Sequence, residues 1–592
     1  MCGICGELRF DATLPDRARI HRMMDQLARR GPDHAGDYID GPIGLGHRRL
    51  SIIDLSEKSS QPMIDDANGN ALVFNGTIYN YPQLRQELKQ KGHSFKSSGD
   101  TEVILKAYAE WGTDCVQRLH GMFAFGIWDK NRQRLMLARD RIGIKPLYYS
   151  TDGNRLLFAS TTQALLAADK SIDTDIDPVA LHNLFSLHAV VPAPRTVLKG
   201  VRKLRPAHVM MFEKDGSVGE QRYWTLRAKR EHRDYSEQQW TEAVHDALRA
   251  AVEKRKIIAD VPVGVLLSGG LDSSLLVGLL CEAGVKNLKT FSVGFEDQPE
   301  EKGNEFEYSD AVVEKFGTEH HRFLVPNSEV LPRLPEAFAN MTEPMFAQDA
   351  VAFYLLSKVV SKEVKVVQSG PGADEVFAGY FWYPQMQYSV TPGVRRFAER
   401  YFDRDHNEYL ETVDSRFHGD DHTAAMIAVL LDGVEADEYI DRVLAVDVTT
   451  LIVDDPVRRV DNMTMAWGLE ARVPFLDHEL IELAASMPPE LKLRSGGKHV
   501  LKEISRGLLP DSVIDRRKGY FPMPSLKYVR GEFLDFMKTI LLSDSARLRG
   551  LYNPVYVEKL LSKPEDYLTR LQGSKLWHLA ALELWLQQNV DR

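Results

Sequence analysis

The first part of the chain, about 210 residues long, is patterned as short strands with a few helices between them. Stretches such as NALVFNGTIYNY (70–81) and HGMFAFGIWDK (120–130) are rich in β-branched and aromatic residues and are bounded by Gly, Asn or Asp. Between them, YPQLRQELKQKG (81–92) and DTEVILKAYAEWG (100–112) carry apolar residues at helical spacing. This mixture predicts a layered domain of sheets and helices.

The pattern changes after residue 240, where continuous apolar strands alternate with amphipathic helices. Strands such as VPVGVLL (261–267) and LKTFSVGF (288–295) predict a doubly wound parallel sheet with helices on both faces. From about residue 395 the chain is mainly helical. The highly charged segment between the two patterns is predicted to be a linker. The predicted division is therefore a two-domain α/β chain with domains at 1–225 and 241–592 and a linker at 226–240.

Composition and charge indicate a folded protein and argue against a nucleic-acid-binding or membrane-spanning one. The chain has 592 residues, 44% hydrophobic and 27% charged, a balance typical of a folded chain with roughly two to four domains. The net charge of −10 argues against a broad nucleic-acid-binding face. The sequence has no apolar run of about 18 residues and no basic-then-apolar leader, so we expect neither a membrane span nor secretion.

The cysteines raise a question about the start of the chain. Four cysteines, Cys2, Cys5, Cys115 and Cys281, are too few to brace this chain with disulfides and suit a reducing cytoplasm. Cys2 and Cys5 form a C-x-x-C pair, but no second pair or histidine cluster completes a zinc site. Removal of Met1 would leave Cys2 with a thiol and a free α-amine. A thiol nucleophile beside an amine of pKa about 7.7–8.0 indicates catalysis at the end of the chain.

The strongest chemical motif is VGVLLSGGLDSSLLVGLL (263–280), in which an apolar strand runs into a glycine turn and then a helix. Glycines let the backbone approach an anion, and a helix N-terminus offers unpaired N–H groups. The Walker A ending G-K-[ST] is missing, and Asp272 in place of its lysine suits a magnesium-bridged pyrophosphate. A glycine turn capped by Asp272 at a helix start, with no ligand, is the alternative, and SGG alone would favour it. The full SGGLDSS resembles the pyrophosphate loop of the ATP-pyrophosphatase superfamily.

A second glycine turn follows a later strand, in VVQSGPGADEVFAGY (366–380). Strand ends of open parallel sheets are where such sheets bind ligands. Asp374 and Glu375 are therefore expected near Asp272, where carboxylates and pyrophosphate oxygens together make a magnesium site. An acidic helix start exposed to solvent is the alternative.

Ordered motifs along nearly the whole chain resemble those of the glutamine-hydrolysing asparagine synthetase family. The matching stretches are MCGI, RRGPD (29–33), HRRLSIIDLS (47–56), FNGTIYNY (74–81), DTEVILKAY (100–108), HGMFAFGIWD (120–129), RDRIGIKPLYY (139–149), SGGLDSS, SGPGADEVFAGY and LEARVPFLDHEL (469–480). The resemblance implies an N-terminal-nucleophile glutaminase domain with αββα layers. It also implies an ATP-pyrophosphatase-type synthetase domain that forms an acyl-adenylate.

The resemblance assigns roles in the glutaminase half. Cys2 is the expected nucleophile, and Asn75 and Gly76 are the expected oxyanion-hole donors, a kind of donor typically worth about 2.7–4 kcal/mol. Arg49 is expected to hold the α-carboxylate of glutamine in a bidentate fork, and Asp100 its α-amine. The full set of expected glutamine-binding residues is Arg49, Leu50, Ile53, Asn75, Gly76, Thr77 and Asp100.

The resemblance also assigns an ATP site in the synthetase half. The expected ATP-binding residues are Leu266, Ser268, Gly269, Gly270, Asp272, Ser273, Ser274, Val293, Ser369 and Gly370. Asp272 and Asp374 are the expected ligands of Mg²⁺. Lys518, in DRRKGYFPMP, is the expected catalytic lysine that neutralises charge on the α-phosphate. Ammonia has to pass between the two sites inside the protein, because ammonium in bulk water is not nucleophilic.

Two departures from the family pattern bear on the substrates. The family reads N-G-E where this chain has Asn75-Gly76-Thr77, so a glutamate that helps to neutralise the substrate amine is missing. The family also has glutamate where this chain has Pro371, and proline supplies neither charge nor proton transfer.

Together with EPMFAQDAVAFYLLS (343–357) and VIDRRKGYFPMP (513–524), these details resemble bacterial N-acetylglutaminylglutamine amidotransferases. That resemblance implies the terminal carboxylate of the acetylated dipeptide as acceptor, in the synthesis of an osmoprotectant. Aspartate is the alternative acceptor.

Other classes of function remain as alternatives. A β-lactam-synthetase-like enzyme would not need Cys2, Asn75 and Asp100. A non-catalytic sensor would bind ATP without turnover, and a plain glutaminase would not couple pyrophosphate release to an acceptor. We expect small-molecule partners only, with no nucleic acid and no membrane. The family's frequent dimers leave a homodimer open.

Overall fold

The computed structural model describes residues 2–230, 234–297, 302–516 and 524–591. The N-terminal domain holds twelve strands and six α-helices among these residues. Its strands are β1 (Cys2–Arg9), β2 (His34–Asp40), β3 (Ile43–Arg49), β4 (Met63–Ile64), β5 (Ala71–Ile78), β6 (Gly121–Asp129), β7 (Arg134–Arg139), β8 (Tyr148–Thr151), β9 (Arg155–Ala159), β10 (Arg202–Lys203), β11 (His208–Glu213) and β12 (Val218–Arg222). Its helices are α1 (Arg17–Gln26), α2 (Tyr81–Gln90), α3 (Asp100–Trp111), α4 (Cys115–Arg118), α5 (Thr162–Ala168) and α6 (Pro178–Ser186).

Two antiparallel six-stranded sheets face each other, in the orders β10-β8-β9-β1-β3-β2 and β12-β11-β7-β6-β5-β4. The alternation along β5 shows how the layers arise. Val73 packs between the sheets, whereas Leu72 and Phe74 pack under α2 and α3 on the other face. Helices α1 and α5 cover the outer face of the first sheet through residues such as Met23 and Leu165. The αββα layering predicted from the resemblance is confirmed.

The C-terminal domain is built on a five-stranded parallel sheet in the order β15-β14-β13-β16-β17. Its strands are β13 (Val263–Leu266), β14 (Lys289–Phe295), β15 (Glu319–Val325), β16 (Val366–Gln368) and β17 (Glu470–Arg472). Val265 and Phe291 pack against helices on opposite faces, so the sheet is doubly wound as predicted. β17 lies inside the region predicted to be mainly helical and was not expected.

Helices make up the rest of this domain. They are α7 (Glu237–Ile257), α8 (Leu271–Glu282), α9 (Phe306–Phe316), α10 (Asn327–Ala339), α11 (Asp349–Val360), α12 (Ala373–Val376), α13 (Trp382–Gln387), α14 (Gly393–Tyr401), α15 (His406–Thr412), α16 (His422–Asp432), α17 (Tyr439–Val446), α18 (Arg458–Met465), α19 (His478–Ala485), α20 (Glu490–Leu493), α21 (His499–Ser505), α22 (Asp511–Ile514), α23 (Pro524–Lys527), α24 (Gly531–Leu541), α25 (Asp544–Arg549), α26 (Pro554–Ser562) and α27 (Lys575–Asn589). Within the described ranges, no helix is both long and apolar enough to cross a bilayer.

The segment predicted as a linker is anchored at both described ends. The Ala228 N–H donates to the Glu435 carbonyl at 2.9 Å, and Arg230 forms an ion pair with Asp441 at 2.8 Å. Ser236 then caps α7, which begins at Glu237. Charged residues of this segment therefore hold it against the C-terminal domain, and its last residues begin α7.

Buried ion pairs join the two domains. Lys203 contacts Glu343 at 2.7 Å, and Asp461 on α18 contacts Arg30 at 2.9 Å and Lys145 at 3.3 Å. All five of these side chains are less than a tenth exposed. Because a buried charge that loses its partner is costly, these pairs fix how the domains dock.

Candidate active sites

Cys2 begins β1 and lies almost completely buried, with 7% of its surface exposed. Burial raises the pKa of its thiol. Its backbone nitrogen, the atom that becomes the free α-amine once Met1 is removed, donates to Asn75 Oδ1 at 3.0 Å. The first two residues expected to cooperate are therefore in direct contact.

Only the oxygen of the Asn75 side-chain amide is hydrogen-bonded among the described residues. Its Nδ2 is buried and has no hydrogen-bond partner among the described residues. An unpaired buried donor costs about 1–3 kcal/mol, so an acceptor oxygen placed there would be bound favourably. Gly76 follows directly, and a Cβ at that position would overlap the carbonyl oxygen of Met122 on β6. Only glycine fits here, beside the amide.

A small pocket, here called the Cys2 cavity, opens between these residues. Six of the seven predicted glutamine-binding residues line it, and the seventh, Asn75, contacts the Cys2 nitrogen without being part of the lining. Its lining residues are Cys2, Arg49, Leu50, Ile52, Ile53, Ser59, Gln61, Phe74, Gly76, Thr77, Asp100, Thr101 and Glu470.

Arg49, predicted to bind the α-carboxylate of glutamine, lines the Cys2 cavity, and its terminal nitrogens contact backbone carbonyls. Its Nη1 donates to the Ser56 carbonyl at 2.9 Å, and its Nη2 donates to the carbonyls of Ile53 and Asp54. Both terminal nitrogens are thus engaged with the loop that follows β3, because this turn of chain presents three carbonyl oxygens to them. Arg49 shapes the wall of the Cys2 cavity through this loop.

Asp100 begins α3 and is buried against the wall of the Cys2 cavity. Its Oδ2 accepts a hydrogen bond from the Ile78 N–H at 3.0 Å. Burial nevertheless raises the pKa of the Asp100 carboxyl to about 6. At neutral pH the group is mainly ionised, and mild acid neutralises it.

Glu470, from β17 of the C-terminal domain, was missed by the sequence analysis. Thr77 Oγ1 donates to its Oε1 at 3.3 Å across the domain interface, and Arg472 Nε donates to the same oxygen at 2.6 Å. Burial alone would raise its pKa, but cations including Arg472 and Lys145 lower the pKa of Glu470 to about 2. No local signal could have found this contact, because 393 positions separate Thr77 from Glu470.

The second pocket, the strand-end cavity, has a volume of about 210 Å³ and lies at the carboxyl ends of β13, β14 and β16. Seven of the predicted ATP-binding residues and Asp374 are in its lining: Leu266, Ser268, Asp272, Ser273, Val293, Ser369, Gly370 and Asp374. Pro371 lies in the same wall.

The turn after β13 is tightly built. Gly269 has φ +76°, and a Cβ there would lie 2.7 Å from the Ser309 nitrogen. Gly269 and Gly270 form the turn without lining the cavity. Ser274, predicted as a hydroxyl donor, is fully buried in α8, and its Oγ has no partner among the described residues. It lies behind the turn, because a residue one turn into the helix points back into the core.

A lysine stands between the two predicted magnesium ligands. Lys498 Nζ lies 2.7 Å from Asp272 Oδ2 and 2.7 Å from Asp374 Oδ1. Lys498 has φ +57°, an uncommon backbone conformation that is typical of functional positions. The sequence analysis missed it, because a lysine after the Gly496-Gly497 pair matches no motif that we used. Two carboxylates converging on one cation have the donor chemistry and charge to hold Mg²⁺.

The predicted catalytic Lys518 lies outside the described residues. Arg516, two positions earlier, is described: its Nη1 donates to the Gly269 carbonyl at 3.2 Å, and its Nη2 contacts Glu305 at 2.5 Å.

A third pocket, the aromatic cavity, adjoins the strand-end cavity and has a similar volume of about 210 Å³. The two share Asp349, Glu375, Tyr380, Pro456 and Arg459. The rings of Tyr380 and Trp382 stack along one wall at 4.2 Å. The remaining lining residues are His188, Phe346, Ala347, Gln348, Trp382, Tyr401, Asp447, Leu451, Ile452, Asp455, Lys527, Leu571, Gln572 and Gly573.

The carboxyl groups of the aromatic cavity are not all charged. Burial, reinforced by neighbouring Asp447 and Asp374, raises the pKa of Glu375 to about 8. Burial raises the pKa of Asp447 to about 7. Arg459 contacts both Asp349 and Asp455, each at 3.0 Å. The cavity therefore offers a mainly protonated Glu375 beside a cluster of one cation and two carboxyl groups.

Buried contacts lead from Cys2 towards the strand-end cavity. Arg30 Nε donates to the Cys2 carbonyl at 3.4 Å, and its Nη1 contacts Asp461 at 2.9 Å. Asp461 follows Val460, which lines the strand-end cavity. The two predicted sites are thus joined by continuous protein across the domain interface.

Comparison with known proteins matches each half of the chain to a different family model. The family model described as a glutamine amidotransferase domain matches residues 1–224, and the model described as asparagine synthase matches residues 243–587. Asparagine synthetase (glutamine-hydrolyzing) 3 of Bacillus subtilis is 32% identical, with 99% of this chain and 98% of that protein covered. Asparagine synthetase (glutamine-hydrolyzing) 1 of the same organism is 31% identical, with 100% and 97% covered. A protein named amidase chry2, from Gibberella zeae, is 29% identical, with 85% of each chain covered.

Because both family models match and relatives align from end to end, the chain belongs to the glutamine-hydrolysing asparagine synthetase family and is a glutamine-dependent carbon–nitrogen ligase.

Proposed function

We propose that this chain hydrolyses glutamine at Cys2 and uses the ammonia to amidate a carboxylate that ATP has activated. Removal of Met1 frees the α-amine. The Cys2 sulfur attacks the γ-amide carbon, the C–N bond breaks, and the α-amine passes the thiol proton to the departing ammonia. Water then hydrolyses the thioester to glutamate and restores the thiol. Burial raises the pKa of the thiol, which favours its protonated form in the free protein.

The observation that carries this proposal is the unpaired amide nitrogen of Asn75. The oxygen of the tetrahedral intermediate becomes an anion beside Cys2, and Asn75 Nδ2 is a donor with no other acceptor among the described residues. Asn75 Oδ1 is meanwhile held by the Cys2 nitrogen, which fixes the orientation of the amide. This fixed orientation supports the proposed role of Asn75 as an oxyanion-hole donor.

The variant Asn75→Ala tests this role. We expect glutamine-dependent synthesis to fall about 100- to 1000-fold, because one oxyanion donor is lost. Synthesis supplied with ammonium chloride should remain, since it bypasses the Cys2 cavity. AMP release with glutamine and with ammonium chloride measures the two reactions. Cys2→Ala is the matched control, in which glutamine use should be lost and ammonia use kept. If Asn75→Ala lost both activities equally, the role of Asn75 would be structural instead.

We place ATP in the strand-end cavity, with its pyrophosphate at the turn from Ser268 to Gly270. Asp272 and Asp374 would hold Mg²⁺, which supplies positive charge to the pyrophosphate. An acceptor carboxylate oxygen attacks the α-phosphorus and pyrophosphate leaves; ammonia then attacks the acyl carbon and AMP leaves. Lys498, already between these carboxylates, is positioned to contact the leaving pyrophosphate. Lys518 keeps its expected role at the α-phosphate.

We assign the acceptor to the aromatic cavity and propose N-acetylglutaminylglutamine, amidated at its terminal carboxylate. The cavity adjoins the strand-end cavity and extends to Gln572, which gives room for a chain longer than one amino acid. The protonated Glu375 and the hydroxyl of Tyr380 are suited to bind neutral amide groups.

Aspartate is the second candidate, favoured by the printed names of the two Bacillus subtilis relatives. Its α-ammonium would need a carboxylate, and Asp455 or Asp349 could supply one on displacement of Arg459.

A product assay separates the two acceptors. The chain receives Mg-ATP and amide-¹⁵N glutamine with either aspartate or N-acetylglutaminylglutamine, and mass spectrometry follows the label. We expect label in the dipeptide amide together with AMP and pyrophosphate. Label in asparagine alone would overturn the dipeptide and leave the amidotransferase chemistry standing. Pyrophosphate release that ignores both acceptors would contradict the coupled reaction.

A further inference from the structure

A carboxylate of the C-terminal domain forms part of the wall of the Cys2 cavity. Glu470 is the first residue of β17, the edge strand of the parallel sheet, and it is completely buried. It lines the same cavity as Cys2 and Asp100. The cavity is therefore assembled from both domains.

The charge of Glu470 acts on the reacting groups. Neighbouring cations hold its carboxylate in the ionised form across the physiological pH range. This negative charge contributes to raising the pKa of Asp100 and of the Cys2 thiol, after the larger effect of burial. The three groups therefore share one electrostatic environment, in which a bound cation would be favourable.

The neighbouring position on the N-terminal side has no charge of its own. Thr77 stands where the family pattern has glutamate, and its hydroxyl donates to Glu470. Glutamine brings an α-ammonium, and a buried ammonium needs a paired carboxylate. Thr77 has no carboxylate of its own, but it contacts the carboxylate of Glu470 from the C-terminal domain.

We propose that Glu470, together with Asp100, binds the α-ammonium of glutamine, and that Thr77 positions the Glu470 carboxylate. This inference rests on the proposed glutamine site at Cys2. The C-terminal domain then supplies part of substrate recognition for the first reaction as well as the whole of the second. A second contact also ties the C-terminal domain to the Cys2 cavity, because Asp260 holds the loop after β3. Its carboxylate accepts from the Asp54 N–H at 2.7 Å, and its backbone N–H donates to the Ile52 carbonyl at 2.9 Å.

The test compares glutamine with 4-carbamoylbutanoate, which has the same γ-amide and α-carboxylate but no amine. Wild-type protein should prefer glutamine. In Glu470→Gln this preference, the ratio of the two kcat/KM values, should fall about tenfold or more, because the charge that binds ammonium is gone. The fall should come mainly from a higher KM for glutamine, with ammonia-dependent synthesis unchanged.

Rescue and control variants keep the test sharp. Thr77→Glu in the Glu470→Gln background returns a carboxylate to the pocket from the other side and should restore the preference. Glu343→Gln disturbs a buried ion pair with Lys203 at the same interface but away from the Cys2 cavity. It should lower thermal stability and leave the preference intact.

The outcomes are distinct. Equal loss with both substrates in Glu470→Gln, without rescue by Thr77→Glu, would overturn the inference and leave Glu470 a purely structural residue. Failure of wild-type protein to hydrolyse glutamine would contradict the site at Cys2 instead.

Discussion

At the scale of single residues, two buried carboxyl groups of one pocket have pKa values displaced in opposite directions. Burial dominates at Asp100 and raises its pKa to about 6. Neighbouring cations outweigh burial at Glu470 and lower its pKa to about 2. The difference follows from surroundings, because both side chains are almost fully buried. Glu470 thus stays ionised at physiological pH, whereas mild acid protonates Asp100.

This difference predicts how glutamine use depends on pH. Protonation below about pH 6 removes the negative charge of Asp100, so kcat/KM for glutamine should fall as the pH drops through that value. An unperturbed aspartate would show no such change until about pH 4. The amine-free 4-carbamoylbutanoate is the control, since its profile should lack the step and reflect only the catalytic base. Superimposable profiles for the two substrates would contradict a role of Asp100 in binding the amine.

At the scale of elements, glycine turns were readable from the sequence and β17 was not. The SGGLDSS stretch predicts a strand, a turn and a helix start because glycine permits φ +76° at Gly269 and the apolar run before it forms β13. β17 is only Glu-Ala-Arg, and two of its three side chains are charged. Its pairing with β16 and its buried ion pair exist only in the folded chain, so local pattern carries no trace of them.

The turn after β13 can be tested with a pair of alanine variants. Gly269→Ala should reduce ATP-dependent pyrophosphate release about tenfold or more, because strain of about 1–3 kcal/mol and the Ser309 clash displace the turn. Glutamine hydrolysis should survive. Gly284, just after α8, has a similar φ of +79° with no atom near its Cβ position. Gly284→Ala should lower stability by about 1 kcal/mol and keep ATP use; equal activity loss in both variants would mean that only backbone strain matters.

At the scale of the whole molecule, the sequence predicts each domain better than it predicts their contact. Strand and helix patterns led to a layered N-terminal domain and to the doubly wound sheet, and the family resemblance added the αββα order of the layers. The interface includes buried charged residues such as Lys145, Lys203, Glu343 and Asp461, which read as surface positions in any local window. Their burial depends on partners from the other domain. Lys498 was missed because its partners, Asp272 and Asp374, lie in the same domain but more than 100 positions away along the chain.

The short strand β17 has a consequence for inheritance. Its first side chain lines the Cys2 cavity, and the carbonyl of its last residue, Arg472, accepts from the Ser369 N–H at the strand-end cavity. Naturally occurring alleles that change Glu470 should therefore impair glutamine use and spare ammonia-dependent synthesis. Alleles that change Arg472 should impair both, because its side chain contacts Glu470 and its carbonyl holds Ser369. A gene divided between the two halves would encode a first product whose pocket lacks one wall.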